Sequence, residues 1–358
     1  MVGTTSFVKK LGISVMKVSE SKSSSWWYNH HMRAASRAIL ERIPLVDLVL
    51  EVRDARIPMS SEYAQLRKFP SSSKNIIVLN KMDLASHSKT KEWMEYFKEL
   101  NYIPYAINSH NKDNIKEFLN FLQARIRDIR RSTDSSNTQT TTIMLVGIPN
   151  VGKSAFANSL HQIGRISATE KGKLKHATVS PHPGETKNIT SFKIASNPNI
   201  YILDTPGILP PEILDAEISS KLALTGALID SVVDQSMLAH YFLSILNFSD
   251  EYKKWKNIST MDKKENQIIN DDHTQDCVVQ SVRGALFQEI ASFKGKMKDE
   301  KDMIQLIEAQ FTTLRKAFNV SLDSFEDANS IVATKLINLY RTGRLGHYTL
   351  DTLPRTCE

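Results

Sequence analysis

Gly147-Ile148-Pro149-Asn150-Val151-Gly152-Lys153-Ser154 fits the pattern G-x-x-x-x-G-K-[ST] and directly follows the apolar run Ile143-Met144-Leu145-Val146. That order predicts a buried strand, a glycine-bounded loop and a helix opening at about Lys153. The glycines let the backbone turn its N–H groups inward around phosphate oxygens, and the helix adds its positive dipole end. Lys153 can then reach the β- and γ-phosphates, and the Ser154 hydroxyl can ligate Mg2+. Asn150, Val151, Gly152 and Ala155 complete the candidate phosphate cradle.

Downstream, residues 165–189 contain Gly172, Pro181, Pro183 and Gly184, show no periodicity, and read as a switch loop. Thr186, in Pro183-Gly184-Glu185-Thr186, offers a hydroxyl that completes a Mg2+ shell when a γ-phosphate is present. The strand-like run Asn199-Ile200-Tyr201-Ile202-Leu203 then delivers Asp204-Thr205-Pro206-Gly207. D-x-x-G at a strand end sets a carboxylate on the metal's water shell and a glycine N–H on the γ-phosphate. Ser154, Thr186 and Asp204 are therefore the candidate metal ligands, and Gly207 a candidate nucleotide contact.

Upstream, Leu45-Val46-Asp47-Leu48-Val49-Leu50-Glu51-Val52 reads as a buried parallel strand running into Arg53-Asp54-Ala55-Arg56. Charged residues beyond such a strand lie where α/β sheets bind ligands, although a turn stapled by its own Asp–Arg pair explains them equally well. A second run, Asn75-Ile76-Ile77-Val78-Leu79, ends in Asn80-Lys81-Met82-Asp83. N-K-x-D after a strand is the guanine-reading motif of GTPases. The Asp83 carboxylate can accept from both N1–H and the 2-amino group, a pair of donors that adenine lacks. Asn80 supports the base edge, the Lys81 stem can lie over the ring plane, and Met82 fills the variable place. Tyr102–Ile107 is the next strand, ending in Asn108 and Ser109, where a backbone N–H could meet guanine O6. An amphipathic helix follows through Ile115, Phe118, Leu119, Leu122, Ile126 and Ile129, and a polar linker, 131–141, leads to the phosphate-loop strand.

The chain has 358 residues and a formal charge of +7, unevenly spread: residues 1–45 hold seven Lys/Arg against two acids, and 165–193 hold six against two. A solvated surface and an anionic partner such as RNA both account for such clusters. No apolar run reaches bilayer length, which excludes a transmembrane segment and leaves peripheral membrane association open. Cys277 and Cys357 lack metal-ligand spacing and suggest a reducing compartment. Residues 1–25, with Lys9, Lys10, Lys17 and Lys22, many serines and no acid before Glu20, read as an organellar transit peptide or a disordered tail. The adjacent His30 and His31 have no further ligands at metal spacing. Beyond Pro210 the pattern turns helical, clearest at Ser324–Tyr340, where Asp323 and Glu326 can form a capping box and Gly343 ends the helix. Residues 250–275 are polar and read as an insertion.

Ordinary GTPases carry phosphate loop, switch threonine, D-x-x-G, N-K-x-D and the small-residue loop in that order; here the last two come first. A parallel sheet tolerates this if the usual termini are joined, as the linker 131–141 would do. With Asp54-Ala55-Arg56 and Trp27-Tyr28-Asn29-His30-His31-Met32, this order resembles the circularly permuted GTPases of the YlqF/RbgA type, and most of all the mitochondrial and plant DAR GTPases. The resemblance runs from about residue 26 through Leu345-Gly346 and Thr349-Leu350-Asp351. It implies an α/β fold: a circularly permuted P-loop GTPase domain over 26–210, mostly parallel sheet with helices on both faces, then an all-helical RNA-binding domain over 211–358.

The resemblance further implies GTP and GDP as ligands, and a role in maturing the large ribosomal subunit through its rRNA. The expected location is the mitochondrial matrix, with plastid or cytoplasm as alternatives. His31 matches the histidine of the family's Trp-aromatic-Pro-Gly-His-Met signature and becomes the candidate catalytic residue, although Asn29-His30 replaces Pro-Gly. Asn150 holds a position that in some related GTPases helps bind a potassium ion. Two rival readings are a GTP-gated RNA-binding module with little hydrolysis, and a GTPase of membrane transport or tRNA modification.

Overall fold

The computed structural model describes residues 11–12, 30–69, 75–132, 140–167, 179, 188–210, 215–256, 277–320 and 325–354. The chain divides into two compact units. One comprises Ser25–Glu212 with Thr225–Leu228 and Tyr348–Glu358; the other comprises Met1–Ser24, Ile213–Leu224 and Ile229–His347.

The first unit is built on a sheet of six described strands in the order β3-β2-β1-β4-β6-β5. They are β1 (Leu48–Asp54), β2 (Asn75–Asn80), β3 (Ile103–Ala106), β4 (Thr141–Val146), β5 (Thr190–Ser196) and β6 (Asn199–Asp204). All neighbours run parallel except β5, which is antiparallel to β6. β1 and β2 are buried at every position, as expected for parallel strands covered on both faces.

Register shows which helices cover which face. Ile77 and Leu79 of β2 share a cluster with Trp93 and Phe97 of α2 (His87–Glu99). On the same face, Val49, Met144 and Val146 pack with Ile39 of α1 (His30–Arg42). Tyr105 pairs in register with Val78 and so faces the other way. Its ring lies 4.8 Å from that of Phe118 in α3 (Lys112–Ser132), which in turn lies 5.3 Å from Phe156 in α4 (Lys153–Ser167).

The first strand differs from expectation: it begins at Leu48, not Leu45. Pro44 turns residues Ile43–Leu45 into a short 3-10 helix and Leu45 is exposed, while Arg53 and Asp54, expected beyond the strand, lie buried within it. β5 was hidden in a basic stretch; as an edge strand it buries only Phe192, Ile194 and Ala195. Within the polar 250–275 stretch, Glu251–Trp255 is a 3-10 helix that buries Trp255, and 257–276 lie outside the described residues.

The second unit is helical in the residues described: α5 (Ala216–Leu224), α6 (Gln235–Phe248), α7 (Cys277–Ser292), α8 (Glu300–Ala317) and α9 (Phe325–Arg341). Asp234 and Asp299 cap α6 and α8 by accepting from the first free N–H groups of each helix. Asn247 and Gln310, both buried, satisfy each other in a reciprocal amide pair, Nδ2 to Oε1 at 3.0 Å and Nε2 to Oδ1 at 2.7 Å. Gly343, at φ 73°, ends α9, and the candidate capping residue Asp323 lies outside the described residues.

Candidate nucleotide-binding site

β4 sits at the centre of the sheet, and the loop leaving its carboxyl end meets the ends of β2 and β6. This is where an open α/β sheet puts its ligand. Lys153, buried, folds its ammonium over the loop and donates to the carbonyls of Gly147 at 3.0 Å and Ile148 at 2.8 Å. Burial pushes Lys153 down to about 8, against the pull of the Asp204 carboxylate. A phosphate at this point would favour its charged form and raise it again.

Close approach explains two glycines. A Cβ at Gly152, at φ 93°, would press into the Asn80 amide, and one at Gly207 would press into the backbone of Pro149. The N-K-x-D loop and the D-x-x-G turn thus both lie against the loop 147–154. Ile208 N donates to the Gly147 carbonyl at 3.3 Å, and Thr205 Oγ1 donates to the Leu145 carbonyl at 2.6 Å.

The metal candidates come together in part. Ser154 Oγ donates to Asp204 Oδ2 at 2.7 Å, while Asp204 Oδ1 is buried without a hydrogen-bond partner. Burial raises the Asp204 carboxyl above its ordinary value, only partly offset by the Ser154 hydrogen bond and Lys153. A buried carboxylate oxygen with an unmet acceptor, beside a serine hydroxyl, fits a hard divalent cation. Thr186 lies outside the described residues.

On the base side, Asn80 Nδ2 donates to the Val151 carbonyl at 2.8 Å. Its Oδ1 accepts from Ser109 Oγ at 2.7 Å and Ser109 N at 3.3 Å. Lys81 takes a left-handed backbone (φ 60°) and donates from Nζ to the Asn150 carbonyl at 2.5 Å. Met82 N donates to the Ile107 carbonyl, Asn108 is half-buried, and Asp83 is exposed and open to a ligand. Asn150 Nδ2 donates to the Gly226 carbonyl at 2.6 Å, an engagement the sequence did not suggest. Val151 is buried, and Ala155 lies half-buried in the first turn of α4.

His31 is the second residue of α1, and its side chain lies outside what is described. Its helix is nevertheless anchored nearby, because Ile39 shares one apolar cluster with Val146 and Ile208.

Known proteins match this chain at several levels. A family model described as 50S ribosome-binding GTPase matches residues 142–280. DAR GTPase 2, mitochondrial, from Arabidopsis thaliana is 54% identical over 363 residues, covering 97% of this chain and 96% of that protein. The chain belongs to the YlqF/RbgA family of DAR GTPases. Ribosome biogenesis GTPase A of Bacillus pumilus is 32% identical across 64% of this chain and 78% of its own length. Mitochondrial ribosome-associated GTPase 1 of Xenopus tropicalis is 32% identical across 62% of this chain and 70% of its own.

In this GTPase the DAR turn holds a role that sequence reasoning left open between a ligand site and a self-stapled turn. Arg56 binds Asp54 through Nε and the backbone N on Oδ1 (2.9 and 3.0 Å) and Nη2 on Oδ2 (2.7 Å). Lys81 Nζ lies 3.1 Å from the same Oδ2. The staple exists, and it also reaches Lys81 of the N-K-x-D loop.

Proposed function

We propose that this DAR GTPase hydrolyses GTP to GDP and phosphate while assisting assembly of the mitochondrial large ribosomal subunit, binding rRNA in a nucleotide-gated way. The observation that carries this reading is the near full-length match to a DAR GTPase whose name places it in mitochondria, supported by the convergence of Asn80, Lys153, Ser154 and Asp204 around one loop. Asn80, Lys81 and Asp83 read guanine; Gly147 to Ala155 hold the phosphates; and Ser154, Asp204 and Thr186 hold Mg2+. A potassium ion beside Asn150 would add positive charge at the phosphates. Residues 1–25 act as transit peptide, 26–210 together with 225–228 and 348–358 as the GTPase domain, and the rest of 211–358 as the RNA-binding domain. Among the described residues, no helix is long and apolar enough to cross a membrane.

A GTP-gated binding module with little hydrolysis of its own is the second reading, and one observation favours it. Ile208 holds the place where many GTPases carry a water-orienting glutamine, and it is buried in the α1 cluster.

Sedimentation of the tagged full-length chain tests the proposal. With a non-hydrolysable GTP analogue it should travel with mitochondrial large subunits and, with GDP, remain at the top of the gradient. Cofractionation with membranes or tRNA in either state contradicts the ribosomal assignment.

A further inference from the structure

The tail that follows α9 returns to the GTPase unit and closes on the DAR turn. Leu350 N donates to the Arg56 carbonyl at 2.8 Å. Asp351, buried, accepts from Met59 N and Ser60 N through Oδ2, each at 2.8 Å, and from Ser60 Oγ through Oδ1 at 2.6 Å. Thr349 Oγ1 accepts from Ser86 N at 3.3 Å, just beyond the N-K-x-D loop. Leu353 packs on the cluster of Ala55, Leu79 and Ala85, as does Met82 of N-K-x-D itself.

The loop between Asp54 and Ser61 is thus gripped from both sides. Inside, Ser61 Oγ accepts from Asp54 N at 3.0 Å and donates to the Ile57 carbonyl at 2.6 Å. Outside, the Asp351 carboxylate fixes the backbone at Met59 and Ser60. The loop starts at Asp54, whose Oδ2 lies 3.1 Å from the Lys81 ammonium. Burial alone would raise the Asp54 carboxyl, but Arg56, Lys81 and the Arg56 hydrogen bonds outweigh it and keep it ionised. A buried carboxylate fixed by a guanidinium is a rigid counter-charge, and it directs Lys81 more sharply than solvent could.

We propose that Asp54 is a positioning residue for the guanine-reading Lys81, and that the C-terminal tail, through Asp351, holds the DAR turn in the register that keeps guanine nucleotide bound. This inference rests on the reading that Asn80, Lys81 and Asp83 bind guanine. The tail follows directly in sequence from the last helix of the helical unit, so a partner that draws the tail away would loosen the nucleotide.

The test is dissociation of N-methylanthraniloyl-GDP from the full chain, as wild type, Asp351→Ala, Asp351→Glu and Asp54→Asn, each alone and in a Lys81→Met background. Asp351→Ala should speed release about tenfold, with single-turnover hydrolysis of bound GTP changed less than about twofold. Asp351→Glu should restore much of the retention. With Lys81→Met, the added effect of Asp351→Ala or Asp54→Asn should vanish, which a merely structural role would not produce. Unchanged release in Asp351→Ala overturns the proposal, and so does an equal acceleration with and without Lys81; the Asp351 arm decides even if Asp54→Asn does not fold. A wild type that holds the adenine analogue as well as the guanine one refutes the guanine reading, and this inference with it.

Discussion

Asn80 Nδ2 donates to the Val151 carbonyl at 2.8 Å, so the loop that would read the base is bolted to the loop that would hold the phosphates. The same side chain accepts from Ser109 Oγ at 2.7 Å, and both Asn80 and Ser109 are buried. One amide satisfies two loops at once. Asn80→Ala leaves the Val151 carbonyl and the Ser109 hydroxyl without this partner and should cost about 1–3 kcal/mol of stability. Urea unfolding of the nucleotide-free chain measures it. A midpoint equal to wild type would show that the bolt contributes nothing.

Lys153 gives a pH signature. In the free protein burial lowers it to about 8, and bound phosphate raises it again, so the complex holds more protons than its parts. Affinity for GDP is therefore full below about pH 8 and weakens as pH rises through that value. Calorimetry in two buffers of different ionisation heat, at fixed Mg2+, should show proton uptake that is larger at pH 8 than at pH 7. Equal heats in both buffers at pH 8 would contradict the assignment. Asp54 works at the acid end: its folded value is depressed, so its stabilisation is complete above about pH 4 and is lost as pH falls through the depressed value.

Binding to ribosomal subunits should be steeply salt-dependent. Lys116, Arg127 and Arg131 are exposed along α3, and the basic segment 165–193 leads into β5. Neutralising several phosphates releases counterions, so affinity should fall by about 10³ or more between 50 and 200 mM salt. A flat response in a filter-binding titration would point to protein contacts instead of rRNA.

Much of the fold could be read from sequence because its motifs bind backbone geometry to chemistry. A strand must precede Gly147 and Asn80, and a helix must follow Lys153, or the phosphate and base groups would not converge. The permuted order was legible for the same reason. β5 was not, because an edge strand of alternating Ser, Lys and apolar residues gives a weak period-two signal inside a basic stretch. The outer contacts of the DAR turn were also hidden. Asp54 meets Lys81 across neighbouring strands and Ser60 meets Asp351 across 291 positions, and no local pattern reports such pairs. A buried charged residue in an otherwise apolar strand was the available clue.

His31 is expected to orient the attacking water, because the Ile208 side chain has no donor or acceptor and is buried away with Ile39. His31→Ala should lower subunit-stimulated hydrolysis by about 10²–10⁴ while leaving GTP affinity nearly unchanged. Single-turnover hydrolysis alongside equilibrium binding separates these effects. Full stimulated activity in the variant would remove His31 from the chemistry.

The most direct test of the whole account is multiple-turnover nucleotide hydrolysis by the full chain with and without purified mitochondrial large subunits, using GTP and ATP in parallel. GTP turnover should be slow alone and stimulated at least tenfold by large subunits but not by small ones, with no comparable ATP turnover, because a carboxylate at Asp83 that pairs with two guanine donors should discriminate by roughly 10⁴. Equal turnover of ATP, or GTP hydrolysis indifferent to the large subunit, would contradict it.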